Sequence, residues 1–261
     1  MGQNQKHPVL APSSADTLQG LPYEVVSYRK TYESGYRSDW HSHPRHQIIY
    51  SVSGLMMTDT EGVRWAVPSG FGLIVPAGIA HTTKMIGDVS IETLYVSPSS
   101  RGRSAFESCR VVSISAMLAS LISELCREEL RDRNSRKAFH LRQLIFLELS
   151  DAPTSHLAVK YPVDPQLRRV CDALIADPAN SWTIDQWAFE IGKSRRSFTR
   201  AFYSQTDQTF RQWTQRLRCQ LALQKRAEGQ SLERIARDLG YGSRYSLEAM
   251  MQKLIMVEEI N

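Results

Sequence analysis

The chain has 261 residues, of which 42% are hydrophobic and 23% charged, with a formal net charge of +5. These values are typical of a globular protein with room for two domains, and they argue against a disordered, fibrous or membrane-spanning chain. Four widely spaced cysteines without a CxxC pair, and the lack of a signal peptide or long apolar run, predict a cytoplasmic protein with free thiols and no membrane contact.

The first hundred residues divide into a polar and a β-like part. Residues 1–20 are rich in Pro, Ser and Gln, which predicts a disordered tail. Residues 21–100 contain short β-like runs separated by turn residues, and this spacing favours a small barrel or jelly roll.

Two motifs in the predicted barrel carry histidines. The spacing of the first is Gly35-x5-His41-x-His43-x3-Gln47-x6-Gly54. The spacing of the second is Gly70-x5-Pro76-x-Gly78-x2-His81-x3-Met85. Both resemble the paired motifs of the cupin family, which commonly carries Glu where this chain has Gln47 and Asn where it has Met85.

The histidines suggest a binding site inside this barrel. Side chains two residues apart on a strand point to the same side, so His41 and His43 share a face if they lie on one. His46 is three residues from His43 and therefore faces the other side. A turn at Pro76 and Gly78 would bring His81 to the same interior. In metal-binding cupins such positions hold a divalent ion, so the resemblance implies a metal site at four residues: His41, His43, Gln47 and His81. The alternative is a metal-free pocket in which the same four side chains bind a small-molecule effector.

The middle of the chain is predicted to be helical. Residues 101–150 contain two amphipathic stretches with wide apolar faces, which form a connector that packs back on the barrel or makes a dimer. Residues 151–164 contain two prolines and few large apolar residues, which predicts a linker.

Residues 165–261 are predicted to form an all-α domain that begins with a helix-turn-helix unit. Helical spacing of apolar residues, a turn at Gly192 and a cap at Ser194 mark the two helices of this unit. The second helix is basic on its outer side, with Arg195, Arg196, Thr199 and Arg200. Residues 193–226 contain nine basic residues and one acidic residue, whereas a solvated helix face normally mixes signs. The pattern therefore favours binding to DNA.

A second unit follows a long helix that ends near Gly229. Its first helix repeats the earlier apolar pattern, Gly240 and Gly242 bracket the turn, and the second helix opens with Ser243, Arg244 and Tyr245. Two such units joined by one helix can reach successive segments of the major groove about one helical turn apart.

Residues 165–251 resemble the DNA-binding domain of the AraC/XylS family of bacterial transcription regulators. The resemblance rests on the sequences SRRSFTRAF, FRQWTQRLR and IARDLGYGS. It implies base contacts by Arg196, Thr199 and Arg200 in the first unit and by Arg244 and Tyr245 in the second. Arg195 and Arg216 are assigned to phosphates, and Ser243, which caps the second reading helix, is also counted among the DNA-binding residues.

Two features depart from this family. Asp207 stands where Gly is common, and no Gly or Pro precedes a closing helix after Met251, so the second unit is expected to be less stable.

The prediction is an α+β, multidomain transcription regulator whose DNA binding is controlled by an effector in a cupin-like barrel. Its expected partners are double-stranded DNA, a small molecule, RNA polymerase and a second copy of the chain. A metal-dependent cupin oxygenase or isomerase is the alternative enzyme, but it leaves the C-terminal third without a role. A constitutive DNA-binding protein with a dimerising barrel is the third hypothesis.

Overall fold

The structure is a computed structural model that describes residues 16–99 and 106–255. Most of the predicted tail and the last six residues, where the closing helix is in question, therefore lie outside the described residues. The last residues of the predicted disordered tail instead form helix α1 (Asp16–Gln19). Arg45 holds the chain that follows, donating hydrogen bonds to the carbonyl oxygens of Gln19, Leu21 and Tyr23 at 3.0, 2.5 and 2.8 Å.

The N-terminal part is an eight-stranded antiparallel sheet. Its strands are β1 (Val25–Tyr32), β2 (His46–Thr60), β3 (Val63–Pro68), β4 (Phe71–Val75), β5 (His81–Val96), β6 (Arg110–Ser113), β7 (Thr154–Ser155) and β8 (Ala158–Lys160). The strand order is β1-β5-β2-β4-β6-β7, and β3 pairs with β2 and β8. This arrangement confirms the predicted β-rich, cupin-like domain.

The two longest strands bend where β2 crosses β5. The register shifts between Ser51 and Leu55, and Gly54 adopts a φ of 81° there. A Cβ atom on Gly54 would lie 2.6 Å from the carbonyl oxygen of Asp88, so only glycine fits this close approach. The bend lets each strand serve two parts of the barrel.

Alternate residues of these strands point into separate cores. Ile49 of β2 and Leu73 of β4 belong to the barrel interior, whereas Ile48 and Ile74 face outward. Helices α2 (Ala116–Arg131) and α3 (Arg136–Ser150) cover this outward face. The inner face of the predicted connector therefore packs on the barrel.

The segment predicted as a linker, 151–164, instead extends the sheet. Strand β7 pairs with β6, with Ser155 opposite Val111, and β8 pairs with β3, with Lys160 opposite Val63. Backbone groups of β3 and β6 would otherwise remain unpaired at sheet edges, and the two short strands satisfy them. The predicted barrel boundary at residue 100 therefore falls short of the last strand.

The C-terminal part is helical, as predicted. It comprises α4 (Pro165–Ala176), α5 (Ile184–Glu190), α6 (Arg195–Thr206), α7 (Phe210–Ala227), α8 (Leu232–Asp238) and α9 (Arg244–Ile255). Trp213 of α7 is fully buried. The ring of Phe202 packs edge-to-face against both Trp213 and Phe210. Asp207 adopts the left-handed conformation that Gly adopts most readily, with a φ of 53°, and its carboxylate pairs with Lys160.

Helix α7 packs directly on the outer surface of the barrel. Cys219 and Ala222 share an apolar cluster with Leu55 of β2 and Ile86 of β5. Gln220 donates from Nε2 to the carbonyl oxygens of Arg64 and Leu157, at 3.1 and 2.6 Å. The helix that joins the two DNA-binding units is therefore also the contact with the barrel.

Within the parts of the chain described, every helix is too short or too polar to cross a membrane.

Candidate DNA-binding surface and effector pocket

The first helix-turn-helix unit is built from α5 and α6. Thr183 and Gln186 form a reciprocal capping box at the start of α5, and Gly192 makes the turn with a φ of 67°. Ser194 caps α6 by accepting a hydrogen bond from the backbone N–H of Ser197 at 3.2 Å. Phe198 anchors α6 in the domain core, and its opposite side faces solvent.

The exposed side of α6 carries the four residues predicted to contact DNA. Arg195 pairs with Asp185 at 2.6 Å, which fixes it beside the first helix. Thr199 donates its hydroxyl hydrogen to its own helix backbone and keeps its oxygen lone pair as an acceptor. The side chains of Arg196 and Arg200 are exposed, and their guanidinium groups make no ion pair or hydrogen bond among the described residues. These groups are therefore available for guanine or phosphate.

The second unit, α8 and α9, repeats this arrangement with one extra turn residue. Arg244 pairs with Glu233 at 2.9 Å, as Arg195 pairs with Asp185. Ser243 accepts a hydrogen bond from the backbone N–H of Ser246 at 3.2 Å, as expected for a cap. Arg244 therefore matches Arg195, the arginine assigned to phosphate, rather than a base-reading position.

Counting along α9 from this cap shows how the second reading surface differs. Tyr245 stands at the position of Arg196 and Ala249 at that of Arg200. Tyr245 is exposed, and its hydroxyl oxygen accepts a hydrogen bond from Arg244 at 3.2 Å. The second helix therefore lacks the two unpaired arginines of the first.

Three residues of the C-terminal domain, Arg216, Leu247 and Met251, lie in surroundings that differ from those predicted. Arg216 is partly buried rather than exposed, its Nε is inaccessible, and burial lowers the pKa of its guanidinium group. Leu247 and Met251, the core residues of the second unit, are 0% and 5% exposed. Their cluster continues into the barrel surface, so this unit packs on an apolar neighbour other than a closing helix.

In the barrel, the structure brings three of the predicted effector residues together. The ring centroids of His41 and His81 are 4.4 Å apart, and that of His43 lies 4.9 Å from His41 and 5.3 Å from His81. His43 and His81 are buried, and His41 is the most exposed of the three.

The route by which these histidines meet differs from the prediction. His41 and His43 lie between β1 and β2 rather than on a strand. Two backbone hydrogen bonds of 2.9 and 3.0 Å join His41 to His81 at the start of β5. His46 faces elsewhere, as expected, with its ring stacked on Phe106 at 5.1 Å.

Backbone carbonyls fix the tautomers of two of the rings. The Nδ1 of His41 lies 2.7 Å from the carbonyl oxygen of Asp39, and that of His81 lies 3.0 Å from that of Ile79. A carbonyl oxygen only accepts, so each Nδ1 carries the hydrogen and each Nε2 keeps its lone pair. Burial, followed by repulsion from His41, lowers the pKa of His81 to about 3, so this ring is neutral near pH 7.

Gln47 occupies the same barrel and has an unused acceptor. Its Nε2 donates to Tyr95 at 3.1 Å and to Thr93 at 3.2 Å, and Thr93 in turn donates to the Ile48 carbonyl. Because Thr93 has used its hydrogen, it must accept from the Gln47 amide, which fixes that amide orientation. Gln47 Oε1 is then a buried acceptor with no donor among the described residues.

Tyr95 and Thr93 are site residues that the sequence did not indicate. Tyr95 lies opposite Gln47 in the β2–β5 register, and its ring centroid is 5.1 Å from that of His43. It therefore links Gln47 to the histidine cluster. Only the register of β2 with β5 would identify Tyr95 as a site residue, and local sequence spacing does not reveal that register.

The three imidazoles suit a divalent cation in chemistry and approximately in spacing. Their candidate ligand nitrogens lie within 4.8 Å of one another. Two nitrogens bound at about 2.0–2.1 Å to one zinc ion lie at most about 4.2 Å apart, so a small closure of the side chains would form the site. Gln47 offers a neutral oxygen where a carboxylate would add a charged ligand.

Comparisons with known proteins agree with this two-part organisation. A cupin domain model matches residues 28–97, and a helix-turn-helix domain model matches residues 187–257. The HTH-type transcriptional regulator NimR of Escherichia coli K12 is 26% identical over 213 residues, covering 82% of this chain and 77% of NimR.

Two solved structures also show limited similarity. ToxT from Vibrio cholerae has a TM-score of 0.37 and 11% identity, covering 90% of this chain and 95% of ToxT. An RmlC-like cupin from Shewanella frigidimarina has a TM-score of 0.27 and 19% identity, covering 28% and 66%.

A β-barrel followed by two capped helix-turn-helix units on one connecting helix defines a two-domain, DNA-binding transcription regulator. The chain carries a cupin domain ahead of a helix-turn-helix domain, and over most of its length it is similar to an HTH-type transcriptional regulator.

Proposed function

We propose that a small molecule bound in the barrel controls the affinity of this regulator for its promoter. The proposal rests above all on the position of α7. This helix joins the two DNA-binding units and packs on β2 and β5, the strands that contribute Gln47 and His81 to the pocket. A ligand that changes the shape of these strands therefore acts on a surface already in contact with the DNA-binding module.

The proposed effector contacts are His41, His43, Gln47 and His81. The buried acceptor Gln47 Oε1 selects a ligand that carries a hydrogen-bond donor, since leaving such an acceptor unpaired costs about 1–3 kcal/mol. The free Nε2 lone pairs of His41 and His81 can accept further hydrogen bonds, or can hold a divalent cation that takes part in effector binding.

DNA binding is tested by fluorescence anisotropy of the full chain on the DNA upstream of its own gene, at two salt concentrations. A random duplex of the same length and the variant Arg196→Ala/Arg200→Ala are the controls. Preference for the upstream DNA that is lost in the variant supports the proposal. Equal, weak and salt-sensitive binding to both duplexes contradicts it.

Control by the barrel is tested in the same assay with His81→Ala and with a chelator. A regulator controlled through this pocket responds to its ligand in the natural chain and loses that response in His81→Ala, with unchanged basal affinity for DNA. A cation requirement predicts that the chelator changes the affinity and that added zinc restores it. Unchanged affinity after chelation removes the metal from the proposal.

The barrel residues alone would also suit a metal-dependent oxygenase or isomerase. We favour a regulator without turnover because it assigns a role to both domains, and because the relative that covers most of the chain is a transcriptional regulator. Turnover that is lost in His81→Ala, together with no DNA affinity of the intact protein, would favour the enzyme instead.

We further propose that α3 pairs two copies of the chain, with RNA polymerase as the partner of the DNA-bound regulator. Phe139, Leu144 and Leu147 are 56%, 46% and 66% exposed on the side of α3 that faces away from the barrel. Exposed apolar side chains on neighbouring turns are typical of a protein–protein contact. Sedimentation of Leu147→Glu as a monomer and of the natural chain as a dimer is expected, and a monomeric natural chain contradicts this pairing.

A further inference from the structure

A second cavity, which is open to solvent, lies on the DNA-binding domain, apart from the barrel. It has a volume of about 370 Å³. The lining includes Trp182 and Trp187 from the first unit, Arg211 and Arg218 from α7, and Tyr241 from the turn of the second unit. The cavity therefore touches both helix-turn-helix units and the helix between them.

The walls of this cavity are aromatic. The ring centroids of Trp182 and Trp187 are 4.7 Å apart with an interplanar angle of 50°, so the two indoles do not stack flat on each other. Trp182 is 43% exposed although it is a large apolar side chain, which leaves part of its ring surface for another planar group. A ring of a bound molecule would cover surface that water now contacts.

The polar groups of the cavity favour a negative charge. Arg211 and Arg218 contribute two cations, and none of the lining residues is acidic. Arg218 is held in place by the carbonyl oxygens of Pro178 and Asn180, at 2.8 and 3.1 Å. Arg211 is exposed, and its guanidinium group makes no ion pair or hydrogen bond among the described residues.

The indole N–H of Trp187, a residue that lines the cavity, lacks a hydrogen-bond acceptor among the described residues. The residue is only 5% exposed, and its Nε1–H is buried without an acceptor in the described part of the chain. Buried indole N–H groups normally find an acceptor, but this one is closed off from solvent, so a ligand oxygen would reach it only after the indole shifts.

We propose that this cavity is a binding site for small aromatic carboxylates, distinct from the barrel pocket. The ring lies against Trp182 and Trp187, and the carboxylate accepts hydrogen bonds from Arg211 and Arg218. Since Tyr241 belongs to the second unit, an occupied cavity stabilises one relative orientation of the two units.

The test uses biphenyl-4-carboxylate as the probe and equilibrium dialysis against the full chain. With 15 non-hydrogen atoms at about 0.3 kcal/mol each, its Kd is expected at about 0.1–1 mM. Trp182→Ala is expected to weaken binding at least about tenfold, because it removes the stacking surface. Arg211→Gln is expected to weaken it about threefold to tenfold, because it removes an exposed charge that pairs with the carboxylate.

Matched controls separate this cavity from other sites. Arg226→Gln removes an exposed arginine of α7 outside the cavity, and His81→Ala disables the barrel pocket, so both should leave the Kd unchanged. Biphenyl-4-methanol, which lacks the charge, should bind at least fivefold more weakly. Trp182 and Arg211 are both exposed, and thermal melting of the variants will verify that they remain folded.

Three results would overturn the proposal. They are the absence of saturable binding up to several millimolar, binding that His81→Ala abolishes while Trp182→Ala does not, and equal affinity for the neutral alcohol. Because the assay contains no DNA, these outcomes are independent of whether the barrel controls promoter binding.

Discussion

The two reading helices are predicted to contribute unequally to DNA affinity. On α6, Arg196 and Arg200 are exposed and unpaired among the described residues, whereas the equivalent positions on α9 hold Tyr245 and Ala249. One bidentate contact between arginine and guanine is worth about 1–3 kcal/mol, or roughly 5-fold to 150-fold in Kd. Neither Tyr nor Ala can make that contact.

Arg196→Ala/Arg200→Ala is therefore expected to weaken binding to the upstream DNA at least about 30-fold. The losses of binding free energy caused by the two single substitutions need not add, since the residues lie one helical turn apart and would contact neighbouring bases. Tyr245→Ala is expected to change the Kd less than about fivefold. Arg226→Ala, which removes one exposed arginine at the end of α7, is the control for loss of a positive charge outside the reading helices.

The assay is anisotropy on the upstream and random duplexes over a series of salt concentrations. Loss of base contacts removes the preference for the upstream DNA and leaves the salt dependence nearly unchanged. Loss of phosphate contacts lowers both affinities by the same factor and reduces the slope of log K against log salt by about 0.9 per contact. That second pattern, or a larger loss in Tyr245→Ala than in the double arginine variant, would refute the assignment.

Three further predictions concern other parts of the molecule. Ala249→Arg, at the position equivalent to Arg200, should tighten binding to the random duplex severalfold, and an unchanged Kd would mean that α9 does not approach DNA. Glu129→Ala leaves Arg142 buried without its carboxylate, 2.6 Å away in the natural chain, so urea denaturation should show a loss of about 3–5 kcal/mol. A loss below about 1 kcal/mol would contradict the importance of this pair. Gln220→Ala removes two hydrogen bonds between α7 and the barrel, so amide exchange in α7 should accelerate, and unchanged protection would mean that apolar packing alone holds the interface.

Local patterns in the sequence were sufficient for the elements that are stabilised locally. The cap Ser194 and the turn at Gly192 lie where apolar spacing and cap chemistry predict them, because these interactions join residues only a few positions apart. The extra residue in the second turn was also available, since one more residue separates Gly240 from Ser243 than Gly192 from Ser194.

Features that depend on distant pairing were not available from local patterns. Tyr95 reaches Gln47 only through the register of β2 with β5, and β8 forms only because β3 has an edge to pair with. His43 and His41 face the same interior as predicted, although His41 lies outside the named strands. The backbone bridge to His81, rather than the alternation of a strand, orients that ring.

The contact between α7 and the barrel sets the energy that an effector must supply. To change DNA affinity, a ligand must bind the competent and incompetent states with affinities that differ, typically by 1–3 kcal/mol. Gln220 and Trp213 together donate three hydrogen bonds from α7 to barrel carbonyls. At about 0.5–1.5 kcal/mol each, these bonds contribute about 1.5–4.5 kcal/mol, the same order as that coupling. Partial loss of this interface is therefore sufficient, and because α7 carries both reading units, a small shift of one helix alters the presentation of both to DNA.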